Sequence, residues 1–302
     1  MGEKPTLVDE FGRSRDRLRA VAFRLLGSAD EADDAVQEAW LRASRADAAD
    51  VVNVTAWLTT IVSRICLDML RTRQRRREEF ADTAGLDVLA GAGDARDPEA
   101  EAVLADSVGL ALLVVLDRLG PAERVAFVLH DLFAMPFEEI ARIVERSPVA
   151  AKKLASRARA RVRGAPAPGV DVARQRTLVE AFLAASRAGD VGGLLAVLAP
   201  DVVRRADPAV LHPGAAGEMR GARRVAEETV TNAGRARFAR PALVKGTVGA
   251  VVAPGGRLLL VLALTIEGGR IREITVVNDP ASLARLQLAV VDPIPWAAHP
   301  EA

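Results

Sequence analysis

Lys152, Lys153, Ser156, Arg157, Arg159, Arg161 and Arg163 crowd one short stretch of the chain, and no acid occurs between Glu145 and Arg163. On a helix such cations suit phosphate oxygens, and side chains near the helix start, Val149, Ala150, Lys152 and Lys153, could reach base edges in a major groove. A solvated helix face usually mixes signs at four-residue spacing, so cations without acids at that spacing favour nucleic acid over plain solvation. A second basic run, Arg71, Arg73, Arg75, Arg76 and Arg77, ends an earlier helix, where cations also complement the macrodipole. The opposite chemistry lies upstream. With Ala32, Ala35, Val36, Ala39 and Trp40 facing inward, Asp30, Asp33, Asp34, Gln37 and Glu38 form an acidic patch that suits a basic protein partner and repels DNA.

Other chemistries find little support. The AGAG stretch near 90–93 lacks the strand and helix that a phosphate-cradling loop requires, and neither metal-ligand spacing nor a nucleophile motif is recognisable, so no cofactor and no metal are expected. Asp207 and His212 are candidates for a catalytic pair, but His212 sits in the Gly/Pro-rich DPAVLHPGAAGE loop with no partner fixed by spacing. Cys66, the single cysteine, excludes an intramolecular disulfide and reads as an inert core thiol among the apolar neighbours of IVSRICLDML.

The elements that position these residues follow from periodicity and caps. Apolar residues recur at helical spacing from about Glu10 to Phe80. They predict a helix over 11–26 ended by Gly27, a second capped by Ser28 or Asp30 and running to Arg42 or Ala43, a loop over 46–54, and a long helix over 56–77 capped by Thr55. Gly, Asp and Ala dominate 81–98, which reads as a flexible linker. Helical periodicity resumes at Glu99. Phe137 to Val144 makes a short helix, Glu145 and Arg146 a turn, Ser147 a cap, and Pro148 opens the next helix, with Ala151, Ala155, Ala158 and Val162 on its inner face: a helix-turn-helix. GAPAPG at 164–169 marks a further boundary. Beyond it, two helices precede β-like runs at 201–206, 236–254, 257–268 and 270–279, a helix near 222–232 interrupts them, and EGGR at 267–270 reads as a hairpin turn, so this part is α+β.

Composition sets the frame. The 302 residues are half apolar and about a quarter charged, as expected of two or three folded domains, and the net charge of +1 makes the distribution of charge the informative quantity. No apolar run reaches the length of a bilayer span, and the first residues lack a signal-peptide core, so a cytoplasmic location without membrane attachment is expected. Lysine occurs only at positions 4, 152, 153 and 245, which lowers the weight of any single arginine as a functional choice.

Three motifs in order carry a family resemblance. SADEADDAVQEAWLRA at 28–43 resembles region 2.2 of extracytoplasmic-function (group IV) RNA polymerase sigma factors, AWLTTIVSRICLDMLRTRQRRR at 56–77 resembles their regions 2.3 and 2.4, and 121–163 is similar to region 4.2. The resemblance implies a σ2-like helical domain over 8–80, a linker over 81–105, and a σ4-like helix-turn-helix domain over 106–164. It also implies core RNA polymerase, through its β′ clamp helices and β flap, and promoter DNA as partners. Asp30, Asp33, Asp34, Gln37 and Glu38 would then bind polymerase. Val149, Ala150, Lys152, Lys153, Ser156, Arg157 and Arg159 would meet the −35 element, and Asn53, Arg64, Arg71, Arg73 and Arg75 the −10 element, where Asn53 could bond a base edge and Trp57 stack. Residues 170–302 resemble a SnoaL-like, nuclear transport factor two-like cone as appended in SigJ-type sigma factors, with Asn278, Asp279, Pro280 and Leu283 of VVNDPASLARL similar to a regulatory motif. By resemblance that domain regulates the sigma domains in cis. The alternatives are a ligand sensor, with a small molecule in its pocket, or an enzymatic domain fused to a DNA-binding module.

Overall fold

The structure is a computed structural model that describes residues 6–46, 51–81, 109–206 and 217–291. Most of the expected linker, and both Asp207 and His212, lie outside the described residues. Where the sequence predicts three bodies, the chain divides into two compact units. One comprises Met1–Glu101 with Leu116–Arg159, the other Ala102–Val115 with Ala160–Ala302.

In the first unit, Thr6 and Asp9 form a reciprocal capping box at the start of α1 (Leu7–Leu26), and Gly27 ends that helix with φ 76°, a left-handed backbone that favours glycine. Ser28 accepts from the Glu31 amide and opens α2 (Ala29–Arg45). The long helix α3 (Val54–Ala81) starts earlier than expected, because the Asn53 side chain, not Thr55, accepts from the Ala56 amide at 3.0 Å. The Thr55 hydroxyl instead meets that of Ser14 on α1 at 2.9 Å. Leu18, Val21 and Leu25 of α1, Ala32, Ala35 and Ala39 of α2, and Leu58, Val62, Ile65 and Leu70 of α3 are buried, each set at helical spacing. Small alanines on α2 let the three backbones approach closely, and Phe11 and Trp40 lock α1 to α2 with ring centroids 4.7 Å apart.

Helix α4 (Leu110–Leu116) precedes α5 (Pro121–Phe127), which widens into a π turn at Val128–Leu132 before α6 (Phe137–Val144) and α7 (Pro148–Arg163). Charged groups of α5 and α3 both reach the end of α1 within the first unit. Arg124 of α5, 2% exposed, donates to Asp117 and to the Arg24 carbonyl at the end of α1, while Arg73 of α3 donates to the Leu26 carbonyl and to Glu31. Removing either partner of such a buried charge typically costs about 3–5 kcal/mol.

The second unit is α+β, as expected. Helices α8 (Val172–Ala188) and α9 (Val191–Val197) are each capped by an aspartate, Asp171 and Asp190. They lead into β1 (Leu198–Ala206), β2 (Glu218–Arg220), α10 (Ala222–Thr231), α11 (Ala233–Ala236), β3 (Ala239–Val244), β4 (Thr247–Val252), β5 (Leu260–Glu267), β6 (Arg270–Val277), α12 (Pro280–Arg285) and β7 (Leu288–Ala289). The seven strands run in the order β2-β1-β6-β5-β4-β3-β7, and β1 pairs in parallel with β6. Phe182 and Leu183 of α8, Leu194 of α9 and Val225 of α10 pack on Leu243, Val248, Leu264 and Ile274 of one sheet face. Gly268 and Gly269 both take positive φ in the β5–β6 turn, as the sequence predicts. The single run expected over 236–254 is instead a hairpin, turned at Lys245 and Gly246 with φ 51° and 83°, the geometry of a two-residue mirror-image turn.

Candidate nucleic-acid interface

The helix-turn-helix forms where the sequence places it. Glu145 takes a left-handed backbone with φ 57°, the Arg146 amide reaches back to the Ala141 carbonyl, and the Ser147 hydroxyl accepts from the Ala150 amide at 3.2 Å, so α7 begins at Pro148. Ala151, Ala155, Ala158 and Val162 are fully buried, which turns Val149, Lys152, Lys153 and Ser156 outward. Val149 is 66% exposed, and Ala150 beside it is half-buried. Among the described residues no acid lies within ion-pair distance of Lys152 or Lys153.

Two cations in the middle of α7, Arg157 and Arg159, are compensated, contrary to expectation, by acids far away in sequence. Arg157 donates to Glu123 at 3.2 Å, and Arg159 holds one oxygen of Asp131 through two nitrogens at 2.9 and 2.6 Å. Asp131 comes from the π turn and its side chain is 4% exposed, so Arg159 braces α7 against the preceding helices. In the first two turns of α7 the lysines Lys152 and Lys153 keep their charge exposed.

On α3 the five residues expected to meet DNA separate in the same way. Asn53 caps the helix with its carbonyl oxygen and keeps its amide nitrogen, and Trp57 is half-buried. Arg73 is held inward by Glu31 and the Leu26 carbonyl. Arg64 is exposed yet donates to the Arg142 carbonyl of α6 at 3.1 Å, Arg71 stands 3.7 Å from Asp68 and 3.9 Å from Glu145, and Arg75 lies exposed with a long hydrogen bond to Thr72.

On α2, Asp30, Asp33, Asp34 and Gln37 are exposed and Glu38 is half-buried. Arg19 grips Asp33 through two nitrogens at 2.6 and 3.1 Å, which raises the Arg19 pKa, and Arg42 donates to Glu38 at 2.8 Å. Asp34 has no ion-pair partner among the described residues. The acidic face thus keeps its negative centre while its flanks are partly neutralised.

In the second unit, the motif at 278–283 is a helix start. Asp279 accepts from the Ser282 amide at 2.7 Å, which holds its carboxyl below the usual range. Pro280 opens α12, Leu283 is buried, and Asn278 is half-buried at the end of β6. Among the described residues no group of three His, Cys, Asp or Glu side chains could hold a metal ion, and no helix is long and apolar enough to cross a membrane.

The first unit thus holds a helix-turn-helix with a basic start, a second helix with exposed arginines and a helix with an acidic face. Residues 11–76 match the family model for Sigma-70 region 2, and residues 109–162 that for Sigma-70, region 4. The ECF RNA polymerase sigma factor SigJ of Mycobacterium tuberculosis is 38% identical over 287 residues, 90% of this chain and 92% of that protein. The probable ECF RNA polymerase sigma factor SigI of the same species is 36% identical over 283 residues, 90% and 93% of the two chains. The crystal structure of the M. tuberculosis SigJ protein aligns over 91% of this chain and 97% of that one, with 32% identity and a TM-score of 0.44. The chain belongs to the ECF RNA polymerase sigma factor family, a family of transcription initiation factors and not of enzymes.

Proposed function

We propose that the protein binds core RNA polymerase and directs it to promoters, with the work divided among its helices. The acidic face of 28–43, centred on Asp34, docks on the β′ clamp helices, and the σ4-like region approaches the β flap. Residues 148–163 meet the −35 element, with Val149, Ala150 and Ser156 at the base edges and Lys152 and Lys153 on the neighbouring phosphates, while Arg157 and Arg159, tied to Glu123 and Asp131, steady the helix. Residues 53–77 engage and open the −10 element through Asn53, Arg64, Arg71 and Arg75. The C-terminal part, 170–302, a SnoaL-like domain, regulates the sigma domains in cis.

The observation that carries this reading is the start of α7, where two lysines without acidic partners among the described residues stand one turn beyond an exposed valine and a half-buried alanine. That combination suits a thymine methyl with phosphates beside it. Arg64 adds a condition. Its guanidinium bonds to the Arg142 carbonyl in this state, so it reaches DNA only when α6 moves off α3. Run-off transcription with core polymerase tests the proposal, comparing the full-length protein with a truncation after Arg163. Promoter-specific transcripts from the full-length chain, changed in yield by the truncation, are the expected result. Absence of transcripts together with absence of core binding would overturn the sigma reading, and equal yields would overturn control in cis.

A further inference from the structure

Within the second unit, arginines differ sharply in what they meet. On β1, β2 and β6, Arg204 pairs with Glu228, Arg205 with Glu218 and Glu273, Arg220 with Glu218, and Arg272 with Asp201 and Glu267. Another group has no such company in sequence: no acid occurs between Glu228 and Glu267, a stretch that carries Arg235, Arg237, Arg240, Lys245 and Arg257. The fold gathers most of these cations at one corner. The last turn of α8 supplies Arg187, which donates to the Ala236 carbonyl at 3.1 Å and to the Ala239 carbonyl at 2.8 Å. Arg240 donates to that same Ala239 carbonyl at 3.0 Å, so two guanidinium groups converge on one oxygen. Arg235 lies on α11, and Arg237 follows it, stacked over the Phe238 ring 4.5 Å from the centre. The Ala253 amide donates to the Phe238 carbonyl at 3.2 Å and the Leu259 amide to the Val252 carbonyl at 2.8 Å, which brings the turn bearing Arg257 to the same strand ends. Arg187, Arg235, Arg237 and Arg257 are exposed, and among the described residues no acid lies within ion-pair distance of any of the four.

A general preference for arginine over lysine would fill both regions alike, and does not explain why acids accompany one group and are missing from the other. Like charges held together disfavour the charged form of each. The pKa of Arg187 is accordingly lowered, first by partial desolvation and then by the charge of Arg240. A bound anion relieves that repulsion. The four exposed side chains come from a helix end, a short helix and a turn and line no enclosed cavity, so they suit an extended polyanion rather than a small ion. The chemistry favours phosphate. A guanidinium stacked on a ring keeps its N–H donors in its own plane, free to fork onto phosphate oxygens.

We propose that the corner formed by Arg187, Arg235, Arg237 and Arg257 is a nucleic-acid contact of the C-terminal domain, which grips the phosphate backbone of duplex DNA without reading its sequence. Backbone contacts of this kind fix position and strength and carry no base information. The contact adds to the proposed promoter reading and does not depend on the assignment of α7.

The test uses the full-length protein bound to core polymerase, with long duplexes enriched from a random library by the wild-type complex and scrambled duplexes of the same length. Arg187 stays in place because it holds two carbonyls, and the variant combines Arg235→Ala, Arg237→Ala and Arg257→Ala. On both kinds of duplex the slope of log affinity against log salt should become shallower by about 2 to 3, at roughly 0.9 for each phosphate no longer neutralised. The ratio of enriched to scrambled affinity should stay within about twofold, because a backbone contact carries no sequence information. The matching triple replacement by lysine should keep the wild-type slope, since counterion release follows charge. A wild-type slope in the alanine variant overturns the proposal. A slope lost equally in the lysine variant traces the loss to structure instead of charge and also overturns it. Weakened core binding with an unchanged DNA slope identifies an acidic protein surface as the partner, and again the proposal fails. Lys152→Ala with Lys153→Ala, measured alongside, keeps the readings apart: an unchanged slope there sinks the assignment of α7 and leaves the corner standing. A complex that enriches no sequence sinks promoter recognition, while the slope on scrambled duplex still decides the corner.

Discussion

Arg159 and Asp131, 28 residues apart in sequence, meet through two nitrogens on a single carboxylate oxygen, with the acid 4% and the base 27% exposed. The bond ties the middle of α7 to the π turn behind it. It also divides the basic residues of this helix into those that hold the domain together and those that face outward.

Stability and DNA affinity should therefore separate by residue. Arg159→Ala should destabilise the protein by about 1–3 kcal/mol, since it removes two charge-assisted hydrogen bonds from a nearly buried carboxylate. Lys152→Ala combined with Lys153→Ala should change stability by less than about 0.5 kcal/mol per site yet reduce the salt slope of promoter binding by about 2, one for each phosphate no longer neutralised. Thermal melting and binding titrations over a range of salt read the two effects.

Asn53 serves two roles through different atoms. Asn53→Ala should cost about 1 kcal/mol through removal of the cap on α3. Asn53→Asp keeps a capping oxygen and adds a charge favourable at a helix start, so melting should be preserved. If the amide nitrogen reads a base, promoter opening, followed by permanganate footprinting, should fall in both variants. Opening retained by Asn53→Asp would restrict Asn53 to capping.

The acidic face should respond unevenly. Asp34→Arg, at the unpaired centre of the patch, should weaken core polymerase binding by more than about tenfold, because charge reversal in a complementary interface replaces attraction with repulsion. Glu38→Gln, whose carboxylate is already shared with Arg42, should have a smaller effect. Fluorescence titration of core polymerase against each variant decides the order.

Burial pushes the Cys66 thiol up to about 12 from an ordinary 9.0. The unfolded chain releases this proton at lower pH than the folded chain, so folding stability should decline as pH rises above 9.0 towards 12. Cys66→Ala should flatten that decline, measured as the urea midpoint between about pH 8 and pH 10.5, a window below and within the range where an ordinary thiol ionises. In the native state the thiol should resist iodoacetamide until unfolding exposes it.

The helices of the first unit, the helix-turn-helix and the β5–β6 turn were legible because their signals are local: period, caps and glycine pairs act over a few residues. Asn53 shows the limit of that reading. Both Asn53 and Thr55 are good capping types, and the packing of Ser14 against Thr55 decided between them. The same holds for charge. The run from Lys152 to Arg163 contains no acid, yet Glu123 and Asp131 neutralise its middle from another helix, a relation that spacing within α7 could not reveal. Arg124 gives no hint of its burial, since its partners Asp117 and Arg24 are brought to it by tertiary packing. The Lys245–Gly246 turn did carry a signal, a glycine between two alternating apolar runs, that a finer reading of 236–254 would have used. The parallel pairing of β1 with β6 left none, because it joins segments separated by most of the domain.

The Ala167 amide donates to the Gly246 carbonyl and the Val290 amide to the Val162 carbonyl at the end of α7, both at 2.9 Å, and these bonds bear on how such proteins can be recombined. A chimera spliced at position 170, where composition suggests a seam, would leave the recipient helix without its distal cap and strip two close-fitting glycines of their neighbours. The C-terminal segment of the second unit begins inside α7, at Ala160, so exchange between relatives should succeed best when donor and recipient share that last turn.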